Sequence, residues 1–300
     1  MFVAVLAVAS FSARATDSIV QLTTPVGSMT FELYDSAKPI TVANFLRYIR
    51  DGKYTGSFAH RLIQNFVLQG GGYYIDSTNT VQSVVSYGTI MNEAGPFPAY
   101  SNVQGTLSMA KLGGDANSAS SQWFLNLADN SSNLDAQNGG FTVFAKLLTG
   151  SDVLQKILAF TSYTGTDGPD MIADLSNGNP NSPFTDVPLM KVLNSGYVLS
   201  DLFYTTWTII STPAPTLAVT GKTSLVTRHP VQAITGTAAG LLDTITYRVG
   251  TRGAWKQAAI SGTHWSITAR PLSHGRNLLT VIGHGPGGNS TPTKISIKRK

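Results

Sequence analysis

Arg61 is the residue around which chemistry can be built in this chain. It stands in the run Ser57 to Gly72, SFAHRLIQNFVLQGGG, a mostly apolar stretch that ends in three glycines. A guanidinium on a half-buried β-surface is costly unless it is paired or used. Phe66 and Gln69 follow at a spacing that sets an aromatic platform and an amide beside it. Such a set makes a shallow pocket, with an apolar floor for a small ring and donors aimed at a carbonyl. Its chemistry is non-covalent and suits rotation about the amide bond that precedes a proline.

That rotation sets clear demands. The barrier at a peptide bond is ~18–20 kcal/mol, and uncatalysed X–Pro exchange takes on the order of tens to hundreds of seconds. Shortening it to about a millisecond requires roughly 10⁵-fold acceleration, or ~7 kcal/mol of preferential transition-state binding. No bond is made or broken, so no nucleophile, metal, cofactor or general base is called for. What helps is a donor that favours the twisted amide, whose prolyl nitrogen has become pyramidal and basic. An apolar pocket must hold the ring while the preceding carbonyl turns.

The stretch also resembles the signature of the cyclophilins, Phe-x-His-Arg-(apolar)2-x-x-Phe-x-x-Gln-Gly-Gly. Two further blocks follow in the family's order. Gly105 to Phe124 reads GTLSMAKLGGDANSASSQWF, and Asn133 to Phe144 reads NLDAQNGGFTVF. The resemblance covers roughly Ile19 to Ala159. It implies a mainly β fold: an eight-stranded antiparallel barrel with a helix over each open end. A barrel of that size is filled by its own side chains, which puts the site on its outer face.

The resemblance also distributes roles. Arg61 is expected to donate to the substrate carbonyl and to approach the prolyl nitrogen, a task suited to a permanent charge on a planar fork. Gln69 is expected to orient Arg61 and the peptide backbone. Phe66, Phe124 and Leu134 are expected to line the proline pocket, with Val67 where the family usually carries methionine. Gln122 and Ala110 border the groove for residues before the proline. Lys111 replaces a common asparagine, and Phe141 a common histidine at the pocket wall. His60 alternates to the opposite face from Arg61 and reads as a structural histidine; Met109 reads as core. A groove kept for binding without turnover, a proline-peptide adaptor, is the alternative, and Arg61 weighs against it because binding alone does not need that charge.

The elements that must position these residues follow from periodicity. Ile19 to Thr23 and Met29 to Leu33 alternate around a turn at Pro25-Val26-Gly27. Thr41 reads as the cap of a helix whose Val42, Phe45, Leu46 and Ile49 fall on one face. A second helix follows Gly150, with Ser151 as its cap and Val153, Leu154, Ile157 and Leu158 turned inward. The segment Thr161 to Pro188, rich in Asp, Asn, Gly and Pro, reads as a long loop.

Charge divides the chain. Residues 1–208 carry 10 basic and 15 acidic side chains, whereas residues 209–300 carry 11 basic and one acidic, Asp243. We read residues 17–208 as the isomerase-like domain and 209–216, with Pro213 and Pro215, as a semi-rigid linker. Residues 217–300 then read as a basic β-sandwich. Short alternating runs at Leu217–Val219, Val231–Ile234, Thr244–Val249, Trp265–Ala269, Leu278–Ile282 and Lys294–Ile297 support this. This tail resembles the immunoglobulin-like modules of bacterial envelope proteins. Its positive field implies an anionic envelope polymer or lipid head groups as partner.

Other chemistries find little support. There are no cysteines, which excludes disulfides and thiolate chemistry. Asp167, Asp170 and Asp174 lack the ligand spacing of a calcium loop. His229, His264, His274 and His284 stand at no metal-ligand spacing and are expected on solvated surface. Phe2 to Ala9 is apolar, and Ala13-Arg14-Ala15 forms a small-x-small site, so residues 1–15 read as a secretory signal peptide. A periplasmic or secreted bacterial protein follows, acting on flexible proline-containing polypeptides, with no nucleic acid partner and no transmembrane span. Asn133 occupies the place of a tryptophan that many cyclophilins use to bind cyclosporin. Weak cyclosporin binding is therefore expected, and inhibition by nanomolar drug in an activity titration would refute it.

Overall fold

The computed structural model describes residues 17–193, 196–240 and 242–300; the signal peptide read over residues 1–15 lies outside them. The chain opens with an antiparallel hairpin, β1 (Ile19–Thr24) and β2 (Gly27–Leu33). Helix α1 (Pro39–Arg50) follows, then β3 (Arg61–Ile63) and β4 (Val67–Gly70). A short hairpin comes next, β5 (Tyr73–Ile75) with β6 (Val81–Ser83). The central strands are β7 (Thr106–Met109), β8 (Trp123–Asn126) and β9 (Val143–Thr149), with the single-turn helix α2 (Ser131–Leu134) between the last two. Helix α3 (Ser151–Leu158) completes this set.

Eight strands make one curled antiparallel sheet in the order β13-β1-β2-β9-β7-β8-β4-β3, where β13 is Thr206–Ser211. The two edge strands do not share a ladder. The residues just before them come together instead, with Ala59 N–H donating to the Phe203 carbonyl and Thr205 N–H to that of Ser57, both at 2.9 Å. Inside the curl, Trp207 meets Phe45 and Trp123 edge-on at 5.0 and 5.1 Å, and Phe45 tilts against Phe144 at 4.9 Å. Val42, Phe45 and Leu46 of α1 and Val153, Leu154 and Ile157 of α3 press onto this same core.

Both helices begin differently from the sequence reading. Pro39 is the first residue of α1, with Lys38 before it, so Thr41 lies within the first turn and is not the cap. Proline fits that position because its missing N–H would have no helical partner. The open N–H groups are met from outside the helix. The Glu93 carboxylate accepts from Ile40 N–H at 3.2 Å, from Thr41 N–H at 2.8 Å and from the Thr41 hydroxyl at 2.7 Å. The buried Lys38 ammonium donates to the Glu93 carbonyl at 2.6 Å and to that of Gly95, and sits 4.5 Å over the Tyr100 ring. At α3 the cap is Gly150 at φ +97°, and Ser151 is already helical. An alanine there would bring its Cβ to 2.7 Å from the Ser28 carbonyl, so glycine is fixed by space as well as by φ.

The segment expected to be a loop from Thr161 to Pro188 contains structure. Strands β10 (Thr161–Ser162), β11 (Gly168–Ala173) and β12 (Val187–Val192) form a three-stranded sheet. It buries Ala173, Val187, Leu189 and Val192 with Phe58 and Leu202 in a cluster of its own. The alternation there is interrupted by Gly, Pro and Asp, which hid it from a periodicity argument. No helix among the described residues is long and apolar enough to cross a membrane.

The linker is shorter than read. β13 extends to Ser211, pairing with β1, and β14 (Thr216–Val219) begins after four intervening residues. Beyond it lie β15 (Ser224–Thr227), β16 (Gln232–Ala239), β17 (Thr244–Val249), β18 (Lys256–Gln257) and β19 (Ala259–Ser261). They are followed by β20 (His264–Ala269), β21 (Gly275–Gly285), β22 (Gly288–Asn289) and β23 (Thr293–Arg299). One sheet runs β14-β16-β20-β19 and the other β15-β23-β21-β17-β18. Their inner faces share a core of Ile234, Ile245, Trp265, Ile267, Leu279, Val281, Ile295 and Ile297. His284 is not solvated as expected: its ring nitrogens sit 2.7 Å from the Thr246 hydroxyl and 2.7 Å from the Asn289 side-chain oxygen.

The Glu93 cap has a measurable consequence. Glu93→Ala removes the only side-chain acceptor at the start of α1 among the described residues, and is expected to cost about 1–2 kcal/mol of stability. An unchanged urea midpoint would show that water replaces it at no cost.

Candidate functional site

Strand alternation sorts the residues of β3, β4, β7 and β8 between two faces. Leu62, Leu68, Leu107, Met109, Trp123 and Leu125 point into the core of the curled sheet. Their neighbours Arg61, Val67, Gln69 and Phe124 take the outer face. There a second apolar cluster forms from Val67, Phe124 and Leu134, all nearly fully buried, with Phe66, Ala110 and Phe141 packed around them. These are six of the residues assigned to the proline pocket and groove from the sequence, gathered from five separate segments. Phe141 stands edge-on to Phe124 at 5.7 Å and 71°, so the basin has an aromatic corner.

Arg61 overlooks this basin. Its guanidinium lies 5.9 Å from the Phe66 ring centroid, and none of the ion pairs among the described residues uses its charge. Gln69 is its cross-strand partner in the β3–β4 register. The Gln69 amide does not hold Arg61, however, as the sequence reading expected. It donates to the Gln122 side-chain oxygen at 2.8 Å. Gln122 in turn pulls the His60 pKa upward and rests on Gly72, where a Cβ would come within 3.0 Å of its amide carbon and nitrogen. The third glycine of the run thus makes room for the amide.

His60 is buried, as expected of a structural histidine, yet it belongs to the support of the site. Its ring meets Tyr73 edge-on at 5.0 Å, and Nδ1 is left without a partner. Burial first, and then the charge of adjacent Arg61, push its pKa down to about 4, against a smaller upward pull from Gln122. The imidazole is therefore neutral at ordinary pH and adds no second positive charge beside the guanidinium.

The far wall is held by carbonyl capture. Lys111 donates to the Asn138 and Gly140 carbonyls at 2.7 and 2.6 Å and lies 4.7 Å over the Phe141 ring. Burial lowers its pKa. Its charge is thus spent on the wall as well as offered to a peptide. Ala110 donates its N–H to the Gln122 carbonyl at 2.9 Å, tying β7 to the start of β8.

Beneath the basin runs a buried amide network that the sequence reading missed. Asn102 donates to Asp135 at 2.7 Å and to the Phe141 carbonyl at 3.1 Å, and accepts from Ser108 at 2.7 Å. Asn126 donates to the Thr106 hydroxyl at 2.9 Å, and Asn130 reaches both Asn126 at 2.8 Å and the Phe66 carbonyl at 2.9 Å. The two aromatic walls, Phe66 and Phe141, are therefore fixed from one hydrogen-bonded centre. Three asparagines flanking otherwise apolar runs were the available signal, because buried amides must be satisfied.

The Thr161–Pro188 segment runs beside the site, with a β-bridge between Asp186 and Arg61. Its apolar residues sit in the cluster with Phe58, and it meets the site at the β3 edge, where Leu62 N–H donates to the Asp186 carbonyl at 2.7 Å.

The chain is similar to known proteins over its N-terminal part. Residues 19–176 match the family model described as cyclophilin type peptidyl-prolyl cis-trans isomerase/CLD. A peptidyl-prolyl cis-trans isomerase of Acinetobacter baylyi is 37% identical over 142 residues, covering 47% of this chain and 72% of that protein. Peptidyl-prolyl cis-trans isomerase B of Escherichia coli is 36% identical over 135 residues, covering 44% and 78%. A solved Cryptosporidium parvum cyclophilin-type isomerase, crystallised in the presence of the dipeptide Ala-Pro, is 29% identical. It covers 49% of this chain and 88% of that one at a TM-score of 0.40.

The buried imidazole carries a pH signature. Because its folded pKa lies below the ordinary histidine value, the unfolded chain binds the proton first. Its stabilising effect is whole above about pH 6.5 and drains away as pH falls toward 4. Across that window the native chain should lose up to roughly 3 kcal/mol more than His60→Gln does. Parallel stability–pH curves for the two proteins would refute the assignment.

Proposed function

The chain belongs to the cyclophilin-type peptidyl-prolyl cis–trans isomerase family, and on that premise we propose that X–Pro bonds rotate in the outer-face basin under Arg61. The carrying observation is the juxtaposition of an arginine outside every described ion pair with an apolar basin built from Phe66, Val67, Phe124 and Leu134. The proline ring enters the basin and is held still. The carbonyl before it swings through the twisted state, and the Arg61 fork donates to that carbonyl and faces the prolyl nitrogen as its lone pair develops.

Energetics separate the two contributions. Ring burial is alike in ground and transition states, so it improves binding and leaves the rotation barrier unchanged. The donor interaction grows as the nitrogen becomes basic, so the rate gain of ~7 kcal/mol must come mainly from that side. The Gln69–Gln122–His60 chain sets the groove floor for residues before the proline, with Ala110 and Lys111 along its edge. Phe141 closes the ring pocket.

The same reading extends to the rest of the chain. Residues 1–15 serve as an export signal, and the protein assists folding of proline-containing polypeptides in the bacterial envelope or outside the cell. The C-terminal two-sheet unit is an immunoglobulin-like accessory module whose excess of positive charge holds the enzyme to an anionic surface. The absence of cysteine suits a chain that stabilises itself by core burial in either redox environment.

A protease-coupled isomerisation assay on a short Ala-Pro-Phe peptide tests the central claim. Arg61→Lys keeps the charge and loses the fork, and should lower kcat/KM by about 100-fold with the fold intact. Activity close to the native level in that variant would sink the role given to Arg61.

A further inference from the structure

Residues 209–300 hold 11 basic side chains and one acid, Asp243, and that acid is taken by Arg50 of α1 at 2.6 Å. None of the ion pairs among the described residues joins two groups within the module. The positive charge is not spread evenly. At the end of the two-sheet unit where β17 finishes and β21 begins, a cleft of about 590 Å³ is lined by Lys256, Arg270 and Arg276, with Tyr247 and Ser273 between them.

Two of the three cationic side chains are held by hydrogen bonds. Lys256 donates to the Arg270 carbonyl at 3.2 Å, and Arg276 Nε donates to the Ser296 hydroxyl at 3.1 Å. These bonds keep like charges close together in a region without carboxylates, where they repel until an anion enters. Trp255 lies in sequence between the lining residues Ala254 and Lys256. It is 44% exposed, and the Arg248 guanidinium is stacked 4.7 Å from its ring centre. The strands β17 and β21 supply a rigid base, and Gly250 and Gly253 keep the loop backbone thin around the opening.

We infer that this cleft binds an acidic polysaccharide, taking its carboxylate or phosphate groups on Lys256, Arg270 and Arg276 and a sugar ring on Trp255. An open cleft suits a chain that passes through it. The planar guanidinium forks match carboxylate and phosphate oxygens in pairs. A broad aromatic face accepts the apolar side of a pyranose ring. A lipid surface fits less well, since the cations line a recess and the module's described residues form no amphipathic helix to lie in a membrane.

The inference deepens the anchoring part of the proposed function, and its test keeps the two apart. The full chain is titrated with polygalacturonate, with neutral dextran and with phosphatidylglycerol vesicles, at low and moderate salt. Native protein should retain polygalacturonate and not dextran, less strongly as salt rises. The double variant Arg270→Gln/Arg276→Gln should weaken retention by about tenfold, and Trp255→Ala by severalfold. The double variant Lys222→Gln/Lys294→Gln removes equal charge away from the cleft and should change it less than about twofold. Isomerase activity of all three reports that each is folded. If both double variants lose retention equally, the diffuse field binds and the cleft is refuted. If vesicles are held as well as the polymer and Trp255→Ala changes nothing, the glycan assignment is overturned. If native protein retains no anionic probe, the anchoring reading falls with it.

Discussion

Side chains on neighbouring strand positions cannot share a face, and the whole site follows from that alternation. With Trp123 and Leu125 committed to the interior, Phe124 has to lie outside; with Leu62 and Leu68 inside, Arg61, Val67 and Gln69 must face out. The interior is closed by large rings, among them Trp207, Phe45 and Phe144. A slip of one residue in the β4–β8 register would bury a guanidinium's neighbours and expose an indole. Such a slip is strongly disfavoured, because it would exchange a filled core for an unsatisfied one. The candidate site is in this sense the outer side of the packing that makes the protein fold.

Rigidity of that surface has a separate origin. The basin itself is small, and three buried apolar side chains would not by themselves fix two aromatic walls. The amides of Asn102 and Asn130 do so by gripping the backbone at Phe141 and Phe66, and Asn126 accepts from Asn130 behind them. A buried polar network is destabilising when partly satisfied and directional when complete. Here its members are joined to Ser108, Thr106 and Asp135, so direction is what it contributes. Lys111 adds a third grip from the solvent side.

How far the sequence could be read depended on the kind of physics involved. Period-two and period-four patterns located the opening hairpin, both long helices and six strands of the C-terminal half, because burial of one face imposes those periods. The motif blocks brought Phe66, Val67, Ala110, Phe124, Leu134 and Phe141 onto one list, and the structure gathers them into one cluster. Interactions between segments distant in sequence were not legible. Nothing near Thr41 announces that Glu93 will cap its helix from 52 residues away, and nothing at Gln69 says that its amide will choose Gln122 over Arg61. The strands β10 to β12 were missed because glycine, proline and aspartate break their alternation, although their buried residues still find one another in space.

The connector between the two halves deserves a kinetic reading. β13 ends at Ser211 and β14 starts at Thr216, leaving four residues that span at most about 14 Å. They are also braced, since the backbone at Gly287 lies so near the Thr212 and Pro213 carbonyls that a Cβ there would fall 2.3 Å from each. A tether so short gives the groove almost no search volume of its own. Wherever the basic half is detained, the isomerase is confined to a thin layer beside it, at an effective concentration far above that in bulk solution. Chains emerging through such a layer would meet the groove repeatedly, whereas those in open solution would seldom do so. Were the basic half held at a surface, the length of the tether would set where in space turnover is concentrated, independently of how fast each turnover is.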